Sequence, residues 1–126
     1  MPAQWQLSNL FNNMEIVIDA KNKSLGRIAA ETAKNLMEKT SVAYLPNVTP
    51  KTRVKVVNLS GAKTNEKKLE QKTYKSYSGY PGNLKYTSLK KIMEKNPKTA
   101  FKRIVRGMLP KNKLQKNILK NLYIEL

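Results

Sequence analysis

The sequence predicts an α/β fold built as a single domain. Two β-branched segments, residues 15–20 and 53–59, have the composition of strands, and apolar residues recur at helical spacing between them, over residues 25–36. A strand, a helix and a strand in this order are typical of a βαβ unit and therefore of a parallel sheet. The 126 residues suffice for one core and are few for two. We therefore expect one α/β domain over residues 14–126, preceded by an N-terminal extension, residues 1–13.

The remaining elements follow from local signals. Ser24 is placed to cap the first helix, and a glycine-containing loop at residues 78–82 follows a further predicted strand. Gly107 is the expected C-terminal cap of a basic helix, because Pro110 prevents continuation. The segments predicted after the second strand are a strand at 72–77, helices at 88–95, 98–106 and 113–121, and a final strand at 122–126.

Positive charge is concentrated in the latter two-thirds of the chain. The 25 lysines and arginines against 8 acidic residues give a net charge of +17. Residues 1–40 hold five basic and four acidic residues, a net of +1, whereas residues 41–126 hold the other 20 basic and 4 acidic residues, a net of +16. This asymmetry indicates a surface that faces a polyanion. Because lysine outnumbers arginine 21 to 4 and acts as a point charge, phosphate contacts are favoured over base-specific reading.

The C-terminal helices are the strongest candidates for that surface. Each is predicted to dock an apolar stripe on the domain and to carry a basic face on the opposite side. A solvated basic face explains any one such helix, but successive basic helices favour a shared binding surface. The candidate phosphate contacts of this region are Lys102, Arg103, Arg106, Lys111, Lys113, Lys116 and Lys120.

Four tyrosines lie among lysines and glycines in the middle of the chain. Aromatic faces beside cations are surfaces on which unpaired bases stack, and glycines let a backbone approach closely. Half-buried tyrosines that pack on a sheet are the alternative interpretation. The tyrosines are Tyr74, Tyr77, Tyr80 and Tyr86, and the candidate binding residues of this segment are Lys72, Tyr74, Lys75 and Lys85.

The start of the first helix is a weaker candidate. Lys23 and Arg27 flank a helix N-terminus that could receive an anion, and Asp19 ends the preceding strand, where open α/β sheets often place ligand-binding groups. No glycine-rich phosphate-binding motif accompanies them, so a structural turn is favoured. We keep Lys23 and Arg27 as candidate nucleic-acid contacts.

The composition leaves few groups for catalysis. The chain has no cysteine and no histidine, which removes thiolate metal sites and the commonest general base. We expect no metal, no cofactor, no small-molecule substrate and no enzymatic activity; an enzyme acting on a phosphorylated substrate through Asp19 is the weakest alternative. No apolar run approaches the length of a membrane span, so we expect a soluble protein without a membrane partner.

Several motifs keep a recognisable order and spacing between residues 15 and 123. They are Ile18-Asp19-Ala20, Lys23-Ser24-Leu25-Gly26-Arg27-Ile28-Ala29, Tyr44 and Pro46, Val57-Asn58, Lys72 and Tyr74, Gly79 and Gly82 with Lys85, and Arg106-Gly107-Met108-Leu109-Pro110-Lys111. The last run is the most specific. Together these motifs resemble the bacterial-type family of large ribosomal subunit protein thirteen.

The resemblance implies a three-layer α/β/α domain around a four-stranded, mainly parallel sheet. It implies a structural constituent of the large ribosomal subunit that binds large-subunit rRNA, supports subunit assembly and contacts neighbouring ribosomal proteins. The chain would be a monomer within a cytoplasmic or organellar ribosome. From the residues alone, a DNA-binding module of the helix-turn-helix type, built from residues 98–106 and 113–121, is the alternative.

The chain also departs from the family pattern. It stops at Leu126, before the His- and Pro-containing tail of bacterial members, so we expect contacts made through that tail to be missing. Glu15 stands where the family commonly has an aromatic residue. Apolar residues of the N-terminal extension are expected to pack in compensation; they are Trp5, Leu7, Leu10 and Phe11.

Overall fold

The computed structural model describes residues 14–42 and 44–126. The N-terminal extension and the packing predicted for Trp5, Leu7, Leu10 and Phe11 lie outside the described residues. The domain boundary at residue 14 therefore stays a prediction.

Strands and helices alternate in the first half of the described chain, and helices dominate the second half. The strands are β1 (Glu15–Asp19), β2 (Arg53–Val57), β3 (Thr73–Tyr77), β4 (Leu84–Ser88) and β5 (Leu122–Ile124). The helices are α1 (Leu25–Leu36), α2 (Glu66–Gln71), α3 (Leu89–Lys95), α4 (Pro97–Met108) and α5 (Gln115–Lys120), with a short 3-10 turn at Leu59–Gly61.

A parallel sheet forms the centre of the fold. Its strand order is β1-β2-β5, with Ile18 opposite Val56 and Val56 opposite Ile124. The crossover from β1 to β2 runs through α1, whose N-cap Ser24 accepts a hydrogen bond from the backbone N–H of Arg27. The α/β class and the predicted βαβ unit are therefore confirmed.

The expectation of four strands in one sheet is wrong for the described residues. Three strands form the parallel sheet, and β3 and β4 form a separate antiparallel hairpin. The physical reason lies in the connection: residues 78–83 make a tight turn in which Gly79 and Gly82 adopt positive φ. So short a connection joins antiparallel neighbours, since a parallel pair requires a crossover of a dozen or more residues. The three-layer order of the domain stays a prediction.

Helix α4 differs from its prediction at both ends. It begins at Pro97, because the Asn96 side chain caps it by accepting a hydrogen bond from the Thr99 N–H. It also continues through Gly107, so the prediction of Gly107 as the C-terminal cap is wrong. Leu109 occupies that position in an extended conformation, as the following proline requires.

One apolar core joins the parallel sheet to helices α1 and α4. Phe101 and Val105 of α4 are fully buried, as are Ile28 of α1 and Val54 of β2. Helices α1 and α4 pack directly against each other. Because α4 buries this stripe, its basic residues face outward, as the periodicity predicts.

Glu38 anchors the segment between α1 and β2. One carboxylate oxygen accepts hydrogen bonds from the backbone N–H groups of Lys51, at 2.9 Å, and Thr52, at 2.8 Å, and from the Thr52 hydroxyl, at 2.6 Å. Burial raises the pKa of the Glu38 carboxyl, but these hydrogen bonds from Thr52 and Lys51 outweigh it and hold the pKa below its ordinary value. The ionised carboxylate is therefore a structural group.

Candidate nucleic-acid interface

An open cleft of about 730 Å³ lies between the β3–β4 hairpin and the segment from α4 to α5. Among the described residues, its lining includes five cations and no carboxylate. The remaining side chains of the lining are neutral and mostly polar. The five cations are Lys75, Arg103, Arg106, Lys111 and Lys113, and the sequence predicted each of them as a contact. We call this surface the basic cleft.

Tyr74 lies in the wall of the basic cleft beside two cations. The guanidinium carbon of Arg103 is 5.7 Å from the centroid of the Tyr74 ring, and the ammonium nitrogen of Lys72 is 5.9 Å from it. These distances are within the range of cation–π attraction. The ring is partly buried, which agrees with the packing interpretation of Tyr74, and its role as an RNA contact stays a prediction.

The Tyr74 hydroxyl is buried and has no hydrogen-bond partner among the described residues. Burial raises the pKa of this hydroxyl above its ordinary value, and the nearby Arg103 guanidinium opposes that effect. The phenol is therefore neutral at physiological pH.

The hairpin holds a second aromatic contact. Lys75 and Tyr86 are direct partners across β3 and β4, and the Lys75 ammonium nitrogen lies 5.8 Å from the Tyr86 ring centroid. Tyr86 is exposed, as are Tyr77 and Tyr80 at the turn. These three rings, in contrast to Tyr74, remain accessible to a partner.

A hydrogen bond fixes the other wall of the cleft. The side-chain amide of Gln115, at the start of α5, donates to the backbone carbonyl of Arg106 at 2.8 Å. This carbonyl belongs to the last turn of α4, where helical partners are lacking. The bond therefore holds the loop with Lys111 and Lys113 beside α4. A smaller cleft continues past it, lined by Arg106, Lys113 and Lys116.

A second cleft, of about 870 Å³, lies at the N-terminal end of α1. It brings together the predicted residues Arg27 and Lys72 with Lys63 and Lys68, which the sequence did not single out. Lys63 is placed there by long-range backbone hydrogen bonds with Lys23 and Leu25, which no local pattern reveals. Lys68 lies on α2, and the N-cap Asn65, just before that helix, is a local signal for the helix that the sequence analysis did not use.

The other predicted residues lie apart from the basic cleft. Lys85 lines a small separate cleft at the hairpin turn, and Lys102 and Lys120 are exposed outside all of these clefts. Lys23 forms an exposed ion pair with Glu31, with a nitrogen–oxygen distance of 3.9 Å. Within residues 14–42 and 44–126, no other predicted cation forms an ion pair. All twelve predicted cations are solvent-exposed.

Asp19 is engaged in a turn. Its carboxylate accepts hydrogen bonds from the backbone N–H of Lys21, at 3.0 Å, and from the side-chain amide of Asn58, at 3.2 Å. The hydrogen bond from Lys21 lowers the pKa of Asp19 the most, and the hydrogen bond from Asn58 has the next largest effect. The charges of nearby lysines lower it further by smaller amounts. Asp19 therefore ties the end of β1 to the end of β2, which is the structural interpretation favoured above.

Neither a metal-binding group nor a membrane-spanning helix is found in the part of the chain that the structure describes. Within it, no three acidic, histidine or cysteine side chains are grouped closely enough to hold a metal ion. None of its helices combines the length and the apolar character that crossing a membrane requires.

The fold and the exposed surface define a small basic α/β protein with a cation-lined cleft. A family model described as "Ribosomal protein L13" matches residues 13–124. The chain belongs to this family, which confirms the resemblance found in the motifs. Members of the family are structural proteins, so the chain is a structural protein and not an enzyme.

Curated relatives agree with this assignment. The large ribosomal subunit protein uL13 of Caldanaerobacter subterraneus subsp. tengcongensis is 44% identical over 108 residues, which cover 86% of this chain and 76% of the relative. That of Aliarcobacter butzleri is 43% identical over 109 residues, 86% of this chain and 78% of the relative. A protein named uL13c, from Gracilaria tenuistipitata var. liui, is 39% identical over 108 residues, 86% of this chain and 76% of the relative. As a member of the L13 family the chain is a ribosomal protein, and each of these relatives is named as a protein of the large ribosomal subunit. The ribosomes of the bacterial relatives are cytoplasmic.

Proposed function

We propose that this protein binds large-subunit rRNA through the basic cleft and supports assembly of the large subunit. The single observation that carries the proposal is a cleft lined by five exposed cations and no carboxylate among the described residues, in a chain of the L13 family. Unpaired cations in one concave surface fit a phosphodiester backbone, since each can neutralise a phosphate and release counterions.

The composition of the cleft favours phosphate contacts over base reading. Of its cations, Lys75, Lys111 and Lys113 are lysines, whose ammonium groups act as point charges. The two arginines lie on one helix, and Arg103 is oriented by Tyr74. We infer a backbone-contacting mode in which RNA shape, rather than sequence, selects the site.

The proposal extends to the finer features of the family. We propose that the domain has three layers and that residues 1–13 form an extension outside it. We also propose that the protein is a monomer within the ribosome and that neighbouring large-subunit proteins are its protein partners. Lys23, Arg27, Lys72, Lys85, Lys102, Lys116 and Lys120 are proposed as contacts outside the basic cleft.

Charge reversal tests the proposal. We expect the triple variant Arg103→Glu, Arg106→Glu and Lys116→Glu to lose binding to purified large-subunit rRNA in a filter-binding assay, while circular dichroism shows a native fold. The matched control reverses three exposed lysines outside the basic cleft, Lys34, Lys39 and Lys91, and changes the net charge equally. Equal losses in the two variants would contradict the proposed site.

Salt dependence tests the mechanism. If about eight phosphates are contacted, affinity falls by roughly 10³ to 10⁵ between about 50 and 200 mM salt. Random-sequence duplex DNA is the comparison ligand. An affinity for duplex DNA above that for rRNA would favour the helix-turn-helix alternative instead.

A further inference from the structure

Gly107 occupies an exposed position in the last turn of α4, in the lining of the basic cleft. Its backbone is helical, and it is not among the residues with positive φ. Apart from its two chain neighbours and the backbone of its own helix, a Cβ atom added at Gly107 would meet no atom within 4 Å. Alanine would therefore fit the fold, and it would favour the helix more than glycine does. Within the described chain, neither backbone geometry nor packing requires glycine at this position.

Two of the other four glycines, Gly79 and Gly82, have a local reason in their backbone conformation. Gly79 and Gly82 adopt φ values of +92° and +79°, which a side chain disfavours. At Gly61 an added Cβ would come to 3.4 Å from the side chain of Lys21, which is an ordinary van der Waals contact. Gly26, in the first turn of α1, resembles Gly107 in having open space around it, and it lies in the second cleft.

The surroundings of Gly107 indicate what approaches it. Arg103 lies one helical turn before it and Arg106 is its neighbour, and both line the same cleft. Lys111 and Lys113 face them from the loop that Gln115 ties to α4. Because glycine has no side chain, the helix backbone is accessible at Gly107. The surrounding cations would attract the phosphates of a phosphodiester chain to the same place.

We propose that Gly107 is a close-approach point, at which the RNA sugar–phosphate backbone packs directly against helix α4. The inference rests on the proposed function and deepens it, because it assigns a binding role to a residue without charge. Glycine is used where a backbone must approach a ligand closely, and here the ligand is the partner that the surrounding cations attract. A side chain at this position would hold the RNA away from Arg103 and Arg106.

The experiment is a size series at position 107 in the full chain, with purified large-subunit rRNA as the probe. We expect Gly107→Ala to raise the thermal midpoint by about 2 to 5 °C, since it restricts the unfolded chain and favours the helix. The same variant should bind rRNA roughly tenfold more weakly, and Gly107→Leu about a hundredfold, since steric overlap costs this order of binding energy. Ala30→Leu enlarges an exposed helical residue outside both clefts and should bind within about twofold of wild type.

The outcomes separate this inference from the proposed function. Wild-type affinity in Gly107→Leu, together with lost binding in the Arg103, Arg106 and Lys116 reversal, would overturn the close approach and leave rRNA binding through the cleft intact. Undiminished binding in the charge reversal would overturn the proposed function itself. An affinity loss in Ala30→Leu equal to that in Gly107→Leu would also overturn the inference, because the effect would not depend on position.

Discussion

Arg103 lies against Tyr74, with its guanidinium carbon 5.7 Å from the centroid of the tyrosine ring. The contact joins helix α4 to the β3–β4 hairpin, two elements that come from different parts of the chain. It orients the guanidinium beside the basic cleft, although no charged partner holds it there among the described residues. The aromatic ring thus positions the guanidinium as a carboxylate could. Because the ring is uncharged, it does not reduce the net positive charge of the basic cleft.

The role of the Tyr74 ring can be separated from that of its hydroxyl. Tyr74→Phe keeps the ring and removes a buried hydroxyl without a partner, so we expect the free energy of unfolding to stay the same or rise by about 1 kcal/mol. Tyr74→Ala removes the contact with Arg103 and Lys72 and should lower rRNA affinity roughly threefold to tenfold. Urea unfolding and filter binding measure the two effects. A large affinity loss in Tyr74→Phe would show that the hydroxyl itself contacts the ligand.

The Glu38 anchor makes part of the stability depend on pH. Its pKa in the folded protein lies below the ordinary value of 4.5, so its contribution is present above about pH 4.5 and is lost as the pH falls through the folded value. We expect Glu38→Gln to be less stable than wild type by about 1 kcal/mol at pH 7, allowing for partial exposure, since it weakens three charge-assisted hydrogen bonds.

The pH profile supplies the control for this prediction. Because the glutamine side chain of the variant cannot titrate, the difference in unfolding free energy between Glu38→Gln and wild type should narrow as the pH falls below about 4.5. Urea unfolding at several pH values between about 7 and 3 measures it. A difference that does not change with pH would mean that the carboxylate charge is irrelevant to the anchor.

Phe101 is the largest fully buried side chain among the described residues, and it fixes α4 on the domain. We expect Phe101→Ala to destabilise the fold by about 3 to 5 kcal/mol, through lost apolar burial and the cavity that remains. Phe101→Leu should cost markedly less. Thermal unfolding followed by circular dichroism distinguishes the two variants. Equal midpoints for both would show that the site relaxes around the cavity.

The hairpin turn depends on backbone conformation at Gly82. Its φ of +79° disfavours any residue with a side chain, although an added Cβ would meet no neighbour. Gly82→Ala should therefore lower the unfolding free energy, measured in urea, by about 1 to 2 kcal/mol. Gly82→Asn, which tolerates the left-handed region better, should lose less. A stabilised Gly82→Ala variant would contradict the turn geometry.

Local sequence patterns predicted the elements correctly where an element and its partners are close in sequence. The β-branched composition of β1 and β2 and the helical periodicity of α1 predicted the βαβ unit, because these are local properties of each segment. The predicted stripe of Phe101, Ile104, Val105 and Met108 likewise indicated which side of α4 faces the core, but Met108, at the end of the helix, is exposed. Strand β4 was missed, since its side chains are mostly exposed and its structure depends on backbone pairing with β3.

The sequence by itself determined the α/β class, the family and the excess of cations, because composition, periodicity and motif order are properties of the chain. Only the tertiary structure decided which cations share a surface: it brought Lys75 to Arg103 and Lys111, placed Lys63 beside Arg27, and left Lys85 and Lys102 elsewhere. The physical reason is that these neighbours are set by the turn of a hairpin and the packing of helices. Side chains far apart in the chain meet only after the core has fixed those elements.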